Sequence, residues 1–123
     1  MARLIVDGPD LVVGLSWLAE LGAAHGNVRV PLRAVRSVVA EPHPWEAVRG
    51  LKLAGTGLPG VAVFGIRVFT GGRDFVALVV GWPAVRVELS NEAPFAQLLV
   101  SVRDAESTLA AIRGATGVGA TRI

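Results

Sequence analysis

Period-two alternation, cut into short lengths by glycine and proline, limits what this chain can fold into more than any other feature. Ala84 to Leu89 shows it most cleanly, with Val85, Val87 and Leu89 on one side and Arg86 and Glu88 on the other. Successive strand residues point to opposite faces, so such a run buries one face and wets the other. Val28, Val30 and Leu32 repeat the pattern around Arg29 and Pro31. Comparable runs recur about every ten residues between turn signals, the mark of a small antiparallel sandwich or barrel.

Along the chain, Ala2 to Val6 and Leu11 to Leu15 read as strands around the turn Asp7-Gly8-Pro9-Asp10. Ser16 stands where an N-cap would, and Trp17, Leu18, Leu21 and Ala24 recur at helical spacing. This predicts a short helix near residues 16–24, ended by His25-Gly26-Asn27. Strands follow over Val28 to Leu32 and Arg33 to Ala40, with an edge or a bend at Pro31, which has no N–H to donate. Glu41-Pro42-His43-Pro44 is a rigid loop, and Trp45 to Leu53 is either extended or a short turn. Val61 to Phe69 and Asp74 to Val80 flank a hairpin loop, and Gly81-Trp82-Pro83 makes the next turn. Ala84 to Leu89 and Gln97 to Val102 complete the strands. Asp104 caps a helix over Ala105 to Arg113, with Leu109 and Ile112 on one face and Gly114 at its stop. The expected organisation is one α+β domain over residues 1–114 and a frayed tail over 115–123. Two helices are too few to cover a parallel sheet on both faces.

Composition narrows the function. Hydrophobic residues make up 52% of the 123 and glycine adds 15 more, yet no window is long and apolar enough to span a membrane. Asp7 interrupts the N-terminal apolar run before a signal-peptide core could form, so a cytoplasmic location is expected. The apolar excess points to a subunit interface. There is no cysteine, which excludes thiolate chemistry. The pI near 10.4 suggests nucleic acid, but the net charge is only +2 and Lys52 is the sole lysine among arginines. Few groups titrate between about pH 8 and 12, so a small arginine excess raises the pI without making a basic protein. One segment is locally basic: Arg29, Arg33, Arg36, Arg49 and Lys52 stand against Glu41 and Glu46. Arg29, Arg33 and Arg36 are therefore the candidate patch for an anionic ligand.

Gly50 to Gly60, G-L-K-L-A-G-T-G-L-P-G, carries the spacing G-x-G-x-x-G at Gly55, Gly57 and Gly60. Dinucleotide chemistry would need a helix after that loop, whose free N–H groups hold the pyrophosphate. Here a β run follows, and Pro59 removes an N–H. A P-loop would need Lys where Thr56 stands. The stretch is better read as a structural loop of Gly55, Gly57, Pro59 and Gly60, with glycine serving backbone conformation or close approach.

No catalytic constellation emerges. His25 and His43 are the only histidines, and a metal site would need further ligands. His43 and Glu46 sit three apart in a proline-fixed loop. The serines lack the G-x-S-x-G setting of a nucleophile. Trp17, Trp45 and Trp82 are not interleaved with cations as in single-strand binders, and read instead as core or interface anchors.

The pieces V-R-V-P-L-R-A-V-R-S-V, P-W-E-A-V-R-G, G-T-G-L-P-G, G-R-D-F-V and L-L-V-S-V-R-D-A-E, spanning Val28 to Glu106, resemble the bacterial pleckstrin-homology-like (PH-like) domains of actinobacterial type. The resemblance implies a bent antiparallel barrel of about seven strands, with the C-terminal helix plugging one end and the helix near 16–24 as an insertion. It implies no enzymatic activity and no cofactor. Relatives in eukaryotes bind phosphoinositides through basic residues of the first strand–loop–strand. Asp7 and Asp10 occupy that loop here, which disfavours membrane-lipid binding. Similar bacterial domains assemble as oligomers. The expected function is thus a non-catalytic module that self-associates or binds a protein partner, with no specific nucleic acid. The alternatives are an anionic-ligand binder using Arg29, Arg33 and Arg36, and, more remotely, a hydrolase or transferase built on His43 and Glu46.

Overall fold

A computed structural model describes residues 3–14, 28–58 and 61–117, residues 51–58 through their backbone. It is α+β. The first sheet has three strands in the order β1 (Arg3–Asp7), β2 (Asp10–Gly14) and β3 (Val28–Pro31). The second holds β4 (Val35–Glu41), β5 (Leu51–Leu58), β6 (Ala62–Phe69), β7 (Gly72–Val79), β8 (Ala84–Leu89) and β9 (Gln97–Ser101). Its spatial order is β4-β8-β9-β7-β6-β5. One helix, α1 (Ala105–Thr116), follows.

Pro31 is a bend, as its missing donor required. β3 ends there, a 3₁₀ turn covers Leu32–Ala34, and the chain enters the second sheet at Val35. The Leu32 N–H donates to the Pro9 carbonyl at 2.9 Å and the Ser90 N–H to the Ala34 carbonyl at 2.8 Å, tying this corner to both sheets. Leu11, Val13 and Val30 of the first sheet and Phe75, Val85, Leu98 and Val100 of the second share one core. Helix α1 closes it with Leu109 and Ile112, packing against β4, β1 and β8.

Three expectations change. Where about seven strands in a bent antiparallel barrel were expected, the described residues form nine strands in two sheets, with no ladder among them joining the sheets. One pair is parallel: β9 inserts between β7 and β8 and runs with β7, Asp74 opposite Gln97. The intervening β8 supplies the long return that a parallel neighbour needs. Helix α1 passes through Gly114 and stops at Gly117, which takes the left-handed conformation at φ 72°. Gly114 has open space around it, so its lack of a side chain costs only helix propensity. The helix expected near 16–24 and the end of the tail, 118–123, lie outside the described residues.

β4 and β5 occupy opposite edges of the second sheet. The link from Pro42 to Gly50 must therefore cross the whole sheet, five inter-strand steps or about 24 Å. A largely extended link of this length reaches that far. It runs as a strap over the face turned away from the main core, with a 3₁₀ turn at Pro44–Ala47. Ala47 and Val48 cover a second, smaller cluster formed by Val76, Leu78, Ala84 and Leu99.

Candidate functional site

The strap is fastened at both ends by ion pairs. At its start, Arg86 Nε donates to Glu41 Oε1 at 3.0 Å, and the His43 N–H donates to Glu41 Oε2 at 3.2 Å. At its end, Arg49 grips Asp74 with two bonds, Nε to Oδ2 at 2.6 Å and Nη2 to Oδ1 at 3.1 Å. The Asp74 side chain is fully buried, whereas Arg49 is about half exposed. Gln97 Nε2 donates to Asp74 Oδ2 at 3.3 Å and lies 3.5 Å from the Ala47 carbonyl. The Arg49 guanidinium also lies 4.2 Å above the Phe69 ring. Arg67 donates to the Arg49 and Gly50 carbonyls at 3.2 and 2.8 Å, so the strap's last two residues are held by backbone as well. The hydrogen bond from Arg49 to Asp74 raises the guanidinium's pKa above its ordinary value, against the opposing effect of burial.

Residues taken one at a time do not reveal this cluster. A signal was present: Asp74 is the one acid heading the apolar run D-F-V-A-L-V-V, and a lone acid there needs a cation. Arg49 and Asp74 belong to P-W-E-A-V-R-G and G-R-D-F-V, two of the segments that carried the resemblance.

The arginine patch disperses. Arg29 Nη2 donates to Asp7 at 2.9 Å and Nη1 to Asp10 at 3.0 Å. Its pKa is raised by the hydrogen bonds to Asp10 and then Asp7. The first turn's two acids thus clamp a cation of β3. Arg33 is bound to Glu92 at 3.0 Å. Arg36 is exposed on β4. Two of the three cations already have carboxylate partners, which leaves little field for an external anion.

The glycine stretch is a strand rather than a loop. Gly55 and Gly57 lie inside β5, opposite Gly65 and Val63 of β6, while Pro59 and Gly60 lie outside the described residues. The glycine that sterics demand is Gly50, at φ 80°, where a Cβ would fall 2.8 Å from the Val68 carbonyl carbon. Trp45 sits partly exposed on the strap, and Trp82 is half-buried with the Arg103 guanidinium 6.0 Å from its ring. They lie at separate places, and Trp17 falls outside the described residues. His43 Nδ1 is 3.9 Å from Glu46, both largely exposed. Among the described residues, no group of three His, Cys, Asp or Glu side chains is placed to hold a metal.

An open cleft of about 210 Å³ lies between β1 and the start of α1, lined in part by Arg3, Ile5, Val102, Arg103 and Ser107. Asp104 already accepts the Ser107 N–H there at 3.2 Å, so an anion would meet a carboxylate at the cap. The remaining unusual surface is the β5 side of the second sheet. Among the described residues β5 pairs only with β6. Near its far end, Val61 and Val80 are joined by a 2.8 Å backbone bond and stand 47% and 51% exposed. No described helix is long and apolar enough to cross a membrane.

No family model matches this chain, and neither a curated protein nor a solved structure matches it.

Proposed function

We propose that this protein is a non-catalytic interaction module that works by self-association or by docking a protein partner. The observation that carries the reading is the β5 side of the second sheet: among the described residues β5 has one neighbour, β6, and Val61 at the β5–β6 turn is exposed, with Val80 exposed next to it. An unpaired edge is a template for another chain, and exposed apolar side chains beside it add the burial that association needs. The pairing of Arg29 with Asp7 and Asp10 and of Arg33 with Glu92 argues against the anionic-ligand alternative. The wide, largely exposed contact of His43 with Glu46 offers little to the hydrolase alternative. A PH-like kinship is supported by the terminal helix set against the antiparallel strands, while the parallel β7–β9 pair departs from that plan. The function proposed here stands on the surface and not on that kinship.

Sedimentation velocity from about 2 to 200 µM, in 0.1 and 0.5 M NaCl, tests the reading. The sedimentation coefficient is expected to rise with concentration and to be nearly indifferent to salt, because the contact is apolar and backbone-mediated. A protein that stays monomeric throughout, and co-purifies with no partner in native mass spectrometry, refutes it.

A further inference from the structure

We infer that the strap, residues 42–50, is a latched cover. It lifts from the second sheet while both sheets and the main core stay folded, Arg49 leaves Asp74, and the apolar face of Val76, Leu78, Ala84 and Leu99 is bared to water. Such opening needs neither a second copy nor a partner, and so goes beyond the association reading above.

The two faces of the second sheet are sealed equally well by unequal means. On one, Phe75, Val85, Leu98 and Val100 pack beneath the first sheet and α1, which bring fully buried residues of their own, such as Leu11, Val30 and Ile112. On the other, Val76, Leu78, Ala84 and Leu99 are 1% exposed or less. Among the described residues, Ala47, Val48 and Val63 pack on them, each only partly buried. No residue of the strap is buried: Pro44, Ala47 and Val48 are half-buried and the other six are exposed. An element with so few buried apolar contacts opens at lower cost than the core it covers.

Its backbone is as loosely held. Among the described residues, no backbone–backbone hydrogen bond joins 42–50 to the sheet, and the strap's own is the bond from the Glu46 N–H to the His43 carbonyl at 3.1 Å. Every polar tie to the sheet runs through a side chain. Arg86 holds Glu41 at the entry, Gln97 Nε2 lies 3.5 Å from the Ala47 carbonyl, and Arg67 and Asp74 hold the Arg49 end. Arg49 and Asp74 form the latch. In the closed state the buried Asp74 carboxylate is answered by Arg49 and Gln97 Nε2. When the strap lifts, both charges regain their hydration, which offsets much of what their contact contributes. The turn at Pro44–Ala47 stores the length a lift draws on, since a 3₁₀ residue advances about 2.0 Å and an extended one about 3.3 Å. β4 and β5 therefore keep their places at either end.

The chain has no cysteine, so one introduced thiol reports on one face. Leu98 and Leu99 are neighbours on β9, both fully buried, the first in the main core and the second beneath the strap. Leu98→Cys and Leu99→Cys are each treated with an aromatic disulfide reagent, and each labelling rate is divided by that variant's global unfolding constant from urea denaturation. On this scale the thiol at position 99 is expected to react at least about a hundredfold faster than the one at position 98. Ala84→Cys against Ala77→Cys repeats the comparison with smaller changes, should a leucine variant fail to fold. Adding Arg49→Met to Leu99→Cys is expected to speed its labelling at least a further tenfold or so, because the closed state then strands Asp74. Equal normalised rates within both pairs would show that the strap opens only when the whole protein unfolds, and would overturn the inference. Fast labelling beneath the strap that Arg49→Met leaves unchanged, although it lowers global stability, would overturn the latch.

Discussion

Arg49 and Asp74 form a pair whose two halves are unequal, and the inequality can be measured. Asp74 is sealed in the protein, whereas Arg49 reaches water along about half its surface. Removing the cation strands a buried carboxylate, which costs about 3–5 kcal/mol. Neutralising the acid leaves an arginine that can turn to solvent and loses only the charge-assisted bonds, about 1.5–3 kcal/mol. Urea denaturation of Arg49→Met and Asp74→Asn should therefore show the first to be the more damaging. The double variant should be less damaged than the two losses summed. Equal losses that simply add would mean the pair does not act as a unit. The pH dependence follows from the same contact. A cation whose pKa is raised on folding stabilises fully below its unfolded value, which for arginine lies far above neutral pH, and the contribution is lost only as pH rises through the higher folded value. Between pH 6 and 10 the Arg49 charge therefore adds no slope to stability, as denaturation across that window would show. One residue further on, Gly50→Ala would force a Cβ into the Val68 carbonyl at a positive φ. A loss of more than about 1 kcal/mol in the same assay is expected, and a neutral result would mean the strap end is not fixed as described.

Among the elements, those set by local chemistry were legible and those set by distant partners were not. Ala84 to Leu89 alternates over its whole length and is β8 with those bounds. Asp104 reads as a cap because a carboxylate suits the free N–H groups of a first turn, and it accepts the Ser107 N–H at 3.2 Å. Pro31 announces a bend through its missing donor. β5 was obscured because four glycines within Gly50 to Gly60 carry little strand propensity, and pairing with β6 overrides that weakness. Neither the insertion of β9 beside β7 nor the strap across the sheet has a local signature, since both depend on which strands become neighbours. The Arg49–Asp74 contact inherits that blindness, because it exists only when the strap crosses β7. For α1, the two kinds of contribution can be separated by experiment. Asp104→Ala removes a cap and should cost about 0.5–2 kcal/mol. Ile112→Ala opens a cavity at a fully buried position and should cost about 2–5 kcal/mol. The reverse order in chemical denaturation would mean that the helix is held by its end rather than by the core.

At the scale of the whole molecule, two apolar layers have been covered by different means. The main core is enclosed by the two sheets and α1, while the second cluster, Val76, Leu78, Ala84 and Leu99, is covered by Ala47 and Val48 of a strap fastened through charges. Among the described residues β5 has no second neighbour, and Val61 and Val80 stand exposed at that end of the sheet; a second copy bound there would couple folding to assembly. A dimer formed only by native chains makes stability depend on concentration. A hundredfold rise in concentration adds at most about 2.7 kcal/mol per dimer, or about 1.4 kcal/mol per protomer, the limit reached when the native protein is dimeric throughout. For a chain of 123 residues that corresponds to an increase in Tm of about 3–8 °C. Calorimetry at 2 and 200 µM is expected to show this rise, largely preserved in 0.5 M NaCl. An ion-paired interface would lose much of it to screening, since the Debye length falls below 5 Å at that ionic strength. A Tm independent of concentration would show that the native chain gains nothing from its own kind, and the exposed edge would then have to be explained by a different protein.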